Sequence, residues 1–314
     1  MIKRGDERAR RLAQLKKEAT RRDFDRHVSV LKDVASLPPE LQSSAVTEQT
    51  AGLSIHTLLS FPPQVHRGWE YIPRQGLVFT PGGVIHLLAS IWPGQGPEIT
   101  RLDGQDLLYL HATLLLLYGR LEIVARGDGR PTHLDMEFNT VAWSYLSPPL
   151  QRLLLNAREA RGAVLAQAMF SAGIQQAYAQ LPLKFANGLK IYGLLPGEQV
   201  EELVFQPGIW KQRFLILQRP VAANVLLLLT SNYLVVIQED LKVRQGWILS
   251  YLPRAGIQAI GARPGESQEE VIVWLKRGEQ TAEYTLALTA ATTAAWRTAW
   301  TRHGGQWWQN PPAG

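Results

Sequence analysis

Cysteine is absent from the chain. That excludes disulfides, thiolate nucleophiles and cysteine-ligated zinc, and leaves only His and carboxylates as metal ligands. Long apolar runs are missing too: the greasiest stretches, 107–117 and 225–237, contain polar residues and fall well short of the roughly 20 residues a spanning helix needs. No transmembrane segment is expected. Residues 1–33 carry charge throughout and hold no apolar stretch of the roughly 7 to 15 residues typical of a cleavable leader. The expectation is a cytoplasmic protein, at most peripheral to a membrane. Gly-x-Gly-x-x-Gly, Gly-x-x-x-x-Gly-Lys-Ser/Thr, His-Glu-x-x-His and Gly-x-Ser-x-Gly do not occur, so the usual marks of nucleotide, zinc-peptidase and hydrolase chemistry are lacking. This weakens the case for an enzyme, and no cofactor is expected.

What is present is ample core material, 46% apolar residues with 10 Trp, 9 Tyr and 8 Phe, so the chain folds. Its 314 residues are about twice the usual domain of roughly 150, and two domains are expected. The net charge of +6 is placed unevenly, because residues 1–35 hold eleven basic side chains against six acids. This segment reads as one charged helix with a thin stripe of Leu12, Leu15, Ala19, Val28 and Leu31. Arg10, Arg11, Lys16, Lys17, Arg21 and Arg22 are its candidate contacts to an anionic lipid surface, each worth about 1 kcal/mol near the membrane. Nucleic acid is the weaker partner, since only Phe24 could stack on bases and five acids interrupt the charge. An unidentified protein partner stays open.

Residues 36–75, with Pro38, Pro39, Ser43, Ser44, Pro62 and Pro63, read as a linker. Strand-like runs broken by Gly, Pro and Asp then fill 76–146, followed by a helical period from a Ser147 cap to Gln180, giving a first domain at 76–180. A second β-rich stretch and an alanine-rich helix stopped by Gly304 and Gly305 give a second domain at 181–305, and 306–314 reads as a flexible tail. The fold class expected is α+β. An internal repeat is suggested by 114–124 over 226–236, 112 residues apart, each read as a hairpin with a polar turn, and by Ser144-Tyr145-Leu146 over Ser250-Tyr251-Leu252, 106 apart.

Three segments carry a resemblance: Gly197-Glu198 before a strand, the hairpin Leu229-Thr230-Ser231-Asn232-Tyr233-Leu234, and Leu252-Pro253-Arg254-Ala255-Gly256-Ile257. Together they resemble the bacterial pleckstrin-homology-like domains, clearest over 194–303 and fainter, through the repeat, over 76–180. The resemblance implies two tandem bent sheet sandwiches, each closed by a C-terminal helix, that bind lipids or proteins and carry no catalytic set. Tyr233 stands where that family often has a basic residue.

One group suits chemistry. His133, Asp135 and Glu137 alternate along a strand and point to one face about 7 Å apart, where they could hold a metal for a hydrolase with help from His86 or His111. The ordinary alternative is a strand with Leu134, Met136 and Phe138 inside and its polar face in water. Arg126-Gly127-Asp128 spells an adhesion tripeptide but sits where a turn is expected. Trp296 and Trp300, one helical turn apart, are expected to close the second sheet.

Overall fold

In the computed structural model, residues 2–21, 28–66, 70–157, 169–213, 217–241, 243, 246–265 and 268–308 are described. The architecture is α+β with strands in the majority. Helix α1 (Ile2–Arg21), strand β1 (Ser29–Leu31) and helix α2 (Ser44–Thr50) come first. Ser43 caps α2 by accepting from the Val46 amide at 3.2 Å. A long series follows. Strand β2 (Thr57–Phe61) leads into an inserted hairpin, β3 (Gln64–His66) and β4 (Glu70–Ile72), then β5 (Gln75–Phe79), β6 (Gly83–Leu88) and β7 (Glu98–Asp103). A 3-10 turn, Gly104–Asp106, precedes β8 (Leu107–Leu115), β9 (Tyr118–Ala125), β10 (Thr132–Phe138) and helix α3 (Trp143–Asn156). After β11 (Met169–Phe170), α4 (Ala172–Ala179) and α5 (Leu183–Gly188) the same order returns. Strand β12 (Gln199–Gln206) leads into a second inserted hairpin, β13 (Ile209–Arg213) and β14 (Leu217–Ala222), then β15 (Val225–Thr230), β16 (Tyr233–Glu239) and β17 (Trp247–Pro253). A 3-10 turn, Arg254–Gly256, precedes β18 (Ile257–Pro264), β19 (Glu269–Arg277), β20 (Gln280–Leu288) and helix α6 (Ala290–Arg302), and β21 (Trp307–Trp308) follows.

The two series agree hydrogen bond by hydrogen bond. The Thr80 hydroxyl accepts from the Gly83 amide at 3.1 Å and donates to the Gly83 carbonyl at 3.3 Å. Thr230 treats Tyr233 the same way, at 2.9 and 3.1 Å. The Gly104 amide donates to Gly82 O as that of Arg254 does to Asn232 O, and the Ala89 amide to Arg74 O as that of Glu239 does to Asn224 O. Each of these residues has its counterpart 150 positions on, and strand registers keep the same spacing, Val84 opposite Leu102 and Leu234 opposite Leu252. The repeat therefore runs at 150 residues, which corrects the expected 112. Segments 114–124 and 226–236 form the β8–β9 and β15–β16 hairpins, which hold different places in their series. Ser144-Tyr145-Leu146 is helical while Ser250-Tyr251-Leu252 is strand. Leucine runs on buried strands had matched by composition alone.

The chain divides into two compact units, Met1–Gly104 with Glu137–Asn156, and Gln105–Met136 with Ala157–Gly314. Residues 180 and 181 both fall in the second unit. In the first unit, β1-β2-β5-β6-β7 form an antiparallel sheet. Its core joins Leu58, Val78, Ile85 and Leu87 of the strands to Leu37, Leu41 and Val46. The expected linker 36–75 is thus core and strand, because its prolines shape short turns that lay leucines on the sheet. Helix α3 starts at Trp143, whose ring stacks on Phe138, and not at a Ser147 cap; Pro148 and Pro149 lie inside it. It ends at Asn156, and of the helix expected up to Gln180 residues 158–168 lie outside the described residues. The basic helix is described over Ile2–Arg21, residues 22–27 lie outside the described residues, and Ser29–Leu31, expected within the helix, is strand.

The second unit holds an eight-stranded sheet, β10-β9-β8-β17-β16-β15-β12-β11, and a four-stranded one, β20-β19-β18-β21. Leu108, Val124, Leu227, Val236, Ile260 and Val273 share one core with Trp296 and Trp300 of α6, so the two tryptophans close the sheet as their spacing implies. Thr289 caps α6, and Gly304 at φ +76° ends it in the left-handed region. The tail read as flexible begins with β21, which pairs in parallel with β18 and sets the Trp308 ring, tilted, 4.9 Å from that of Trp274; residues 309–314 lie outside the described residues. Among the described residues no helix is long and apolar enough to cross a membrane.

Leu41 is 0% exposed, so Leu41→Ala is expected to lower unfolding stability by about 2 to 5 kcal/mol. A chain beginning at Ser54 loses Leu37, Leu41 and Val46 and should fail to fold its first unit, whereas one beginning at Val28 should fold. Denaturant titration followed by circular dichroism checks all three.

Candidate functional site

Strand β10 alternates as its sequence implies, with Leu134, Met136 and Phe138 buried, His133 and Asp135 exposed and Glu137 half-buried. Asp135 is already engaged. Its carboxylate accepts from Arg120 Nε at 2.9 Å and Nη2 at 2.6 Å, a bidentate bond that holds the guanidinium pKa still higher than usual. Both partners are nearly half exposed, so the pair contributes little to stability. His86 is buried in β6 with Nε2 at 3.1 Å from Gln75 Oε1, and His111 belongs to a different cluster. Among the described residues no three His, Asp or Glu gather as metal ligands. Arg126 of the adhesion-like tripeptide pairs with Asp106 at 2.8 Å.

His111 lies in a polar line through the second unit. Its Nδ1 is 2.8 Å from Ser250 Oγ, which is 2.8 Å from Tyr284 Oη, and Tyr109 donates to Glu122 at 2.7 Å beside them. Burial pushes the Tyr284 hydroxyl up to about 12, and burial followed by the Glu122 bond pushes Tyr109 up. Burial also lowers the His111 pKa, so the ring is held neutral. A serine 2.8 Å from a histidine suits a nucleophile and base, but Ser250 is 0% exposed on a central strand, its oxygen is shared with Tyr284, and the nearby carboxylate bonds Tyr109 instead of the imidazole. The line is built to satisfy buried polar groups. Strict alternation of Tyr109, His111 and Thr113 along β8 was the sequence signal for it.

The residues that carry the resemblance do structural work. Gly197 is left-handed at φ +76°, and buried Glu198 accepts from Ser231 Oγ, Asn232 N and Asn232 Nδ2 at 2.9–3.1 Å. That fastens the β15–β16 turn. The ring of Tyr233 is buried, so it is not available to an external ligand. Arg254 binds Glu201 at 2.6 Å and the His303 carbonyl at 3.1 Å, anchoring the end of α6 to β12.

The opposite end of the eight-stranded sheet is different. Register places the end of β12, the start of β15, the end of β16, the start of β17 and the β8–β9 tip side by side. Apolar side chains stand exposed there, one pair of them in a turn, where polar residues are the norm: Leu116 and Leu117 are 62% and 70% exposed, Ile209 and Trp210 of β13 41% and 39%, Leu241 40%. The β8–β9 turn, expected to be polar, is Leu116-Leu117, with Leu116 at φ +50°. A leucine there costs about 1 to 2 kcal/mol, strain of the kind found at working surfaces. In sequence, 207–224 contains Lys211, Arg213 and Arg219 and no acid, and 240–246 adds Lys242 and Arg244 against Asp240. Sequence reading missed this end because each apolar pair was absorbed into a strand.

The basic helix is placed otherwise than a free appendage. In the first unit α1 packs on the β3–β4 hairpin, and Arg11 Nε donates to Ile91 O at 3.1 Å. Arg10 is exposed and Lys16 half-buried; the side chains of Lys17 and Arg21, and all of Arg22, lie outside the described residues.

Because His111 is lowered from 6.5, its neutral form supports the fold above that value, and the contribution is lost as pH falls below it. Thermal midpoints should drop between about pH 7 and 5 more steeply in the parent chain than in His111→Gln; equal slopes would show that His111 does not drive the loss.

No protein-family model matches the chain, and a search of curated proteins returned no match.

Proposed function

We propose that this chain is a non-catalytic, peripheral membrane-binding protein made of two pleckstrin-homology-like repeats, at about 57–156 and 199–302, which seats the loop end of its eight-stranded sheet on an anionic lipid surface. The observation that carries the reading is the exposure of Leu116, Leu117, Ile209, Trp210 and Leu241 at one end of the sheet, with Lys211, Arg213, Arg219, Lys242 and Arg244 in the same sequence segments as the last three. Apolar tips gain about 1.5 to 3 kcal/mol per large side chain fully buried, and each nearby Lys or Arg adds about 1 kcal/mol. Trp210 suits the headgroup boundary, where an amphipathic ring is favoured.

The repeat reading is supported by the recurrence, at a spacing of 150 in the bonded turns and a few residues less at the first strand, hairpin and helix, of four strands with an inserted hairpin, a 3-10 turn, three strands and a helix. The two inserted hairpins differ in a way that favours the second as the working one. Helix α1 packs on β3–β4, while β13–β14 presents Ile209 and Trp210 to solvent. The N-terminal helix is accordingly read as a cover for the first hairpin, and the membrane contact moves from Arg10, Arg11 and their neighbours to the loop end. The non-catalytic reading rests on the burial of the His111–Ser250 pair and on the engagement of Asp135.

Flotation with phosphatidylcholine vesicles, with and without phosphatidylserine, tests this. The parent chain should float with the anionic vesicles and release as salt rises. Leu116→Ser with Leu117→Ser, or Trp210→Ala, should weaken flotation about tenfold, and removal of residues 2–21 should leave it within about twofold. Failure to float, or flotation that ignores the loop-end substitutions but disappears with α1, would refute the reading. Retention of a protein partner that the same substitutions abolish, without any vesicle binding, would replace the lipid surface by a protein one.

A further inference from the structure

The eight-stranded sheet contains a joint made from one strand of each series. Strand β8, the first strand after the 3-10 turn of the first series, pairs antiparallel with β17, the last strand before the turn of the second. The counterparts of these strands at the 150-residue spacing are β18 and β7. Both stand at or beside a sheet edge. Among the described residues nothing pairs with the outer side of β7, and the outer side of β18 is covered only at Ile260 and Gly261, by the two-residue β21.

We infer that β18 of one copy of this chain pairs antiparallel with β7 of a second copy, repeating between molecules the joint that β8 and β17 make within one. The pairing follows from edges and register. An open strand edge offers a row of amides and carbonyls to another strand, and here the complementary edge is carried by the same chain. Within the molecule Leu110 faces Tyr251, His111 faces Ser250, Ala112 faces Leu249 and Thr113 faces Ile248. Moved by 150 residues, that register sets Ile260 opposite Arg101, Gly261 opposite Thr100, Ala262 opposite Ile99 and Arg263 opposite Glu98. The last pair joins opposite charges directly across the strands, a favourable arrangement.

The joint uses different edges on the two partners, so copies join head to tail, in an open chain or a closed ring. The tail sits on the same ground. Ile260 N donates to Gln306 O at 3.1 Å, and a Cβ on Gly261 would meet the Trp308 carbonyl oxygen at 2.9 Å, so the glycine lets the tail approach. Strand β21 thus caps the edge and must leave for a second copy to enter. This inference is independent of membrane binding.

The absence of cysteine makes the contact directly readable in the full chain. With Glu98→Cys and Arg263→Cys together, mild oxidation should give a ladder of disulfide-linked dimers and higher species on a non-reducing gel, abolished by reductant. Glu98→Cys with Gln258→Cys, on the same strands but out of register, should stay monomeric. Light scattering on a chain lacking residues 306–314 should show mass rising with concentration above that of the monomer. Glu98→Lys should suppress that rise, and Glu98→Lys with Arg263→Glu should restore it. A shortened chain that does not fold leaves the cysteine ladder as the deciding result. A cysteine pair that stays monomeric overturns the inference, as does a ladder that forms equally in the out-of-register pair. A folded shortened chain that stays monomeric at every concentration overturns it too.

Discussion

The antiparallel pairing of β8 with β17 is the contact on which the second unit depends. Five residues of each strand, Leu110–Leu114 and Trp247–Tyr251, meet across a sequence separation of well over a hundred residues. Without it, β8 and β17 would each present an open edge in the middle of what is now one sheet, with amides and carbonyls lacking partners. With it, the hairpins β8–β9 and β15–β16 become parts of one surface, and Leu108 and Val124 enter the core that holds Trp296 and Trp300. The clustering of apolar connections at one end follows from the same register. A hairpin tip can lie beside the β16–β17 connection only because Leu114 is opposite Trp247.

The 3-10 turns explain why strands that are consecutive in sequence end up in different sheets. Gly104–Asp106 separates β7, in the five-stranded sheet, from β8, in the eight-stranded one, and Arg254–Gly256 separates β17 from β18 in the same way. Each turn is fixed from behind by one backbone bond to the preceding hairpin, Gly104 N to Gly82 O and Arg254 N to Asn232 O. Three residues of tight helix redirect the chain, and the last strand before each turn keeps a free outer side. In the second series that side is taken by β8.

Much of this was legible residue by residue, and the larger relations were not. Alternation along 132–138 gave the buried face of β10, the Trp296–Trp300 spacing gave the closing helix, and Gly304 marked its end. The repeat was visible in principle but was read at the wrong spacing. Its bonds run through backbone atoms, which constrain side chains weakly: Gly82 answers Asn232, Gly83 answers Tyr233, Gly104 answers Arg254 and Ala89 answers Glu239. Thr80 and Thr230 alone keep their identity among these positions, because there a hydroxyl makes the bonds. The region 36–75 was read as linker for a related reason. Proline-rich segments look like loops in composition, yet each short turn delivers one leucine to the core, and no period announces it. The loop end was hidden by the rule that apolar runs are strands, which says nothing about where a run crosses a turn.

The polar line His111–Ser250–Tyr284 gains its meaning from the joint it crosses. Apolar strands can slide past one another at small penalty when both faces are greasy, and β17 is buried along most of its length. A slip of one residue would turn His111 and Ser250 to opposite faces and leave the largely buried imidazole, held neutral, without its partner. An unsatisfied buried polar group costs about 1 to 3 kcal/mol. The bonds contribute modestly to stability, since the unfolded chain makes equivalent ones with water. Their larger effect is to penalise every register but one. A joint between strands of the two series needs such a device, because the hydrophobic pattern of β8 and β17 does not by itself distinguish the observed pairing from its neighbours.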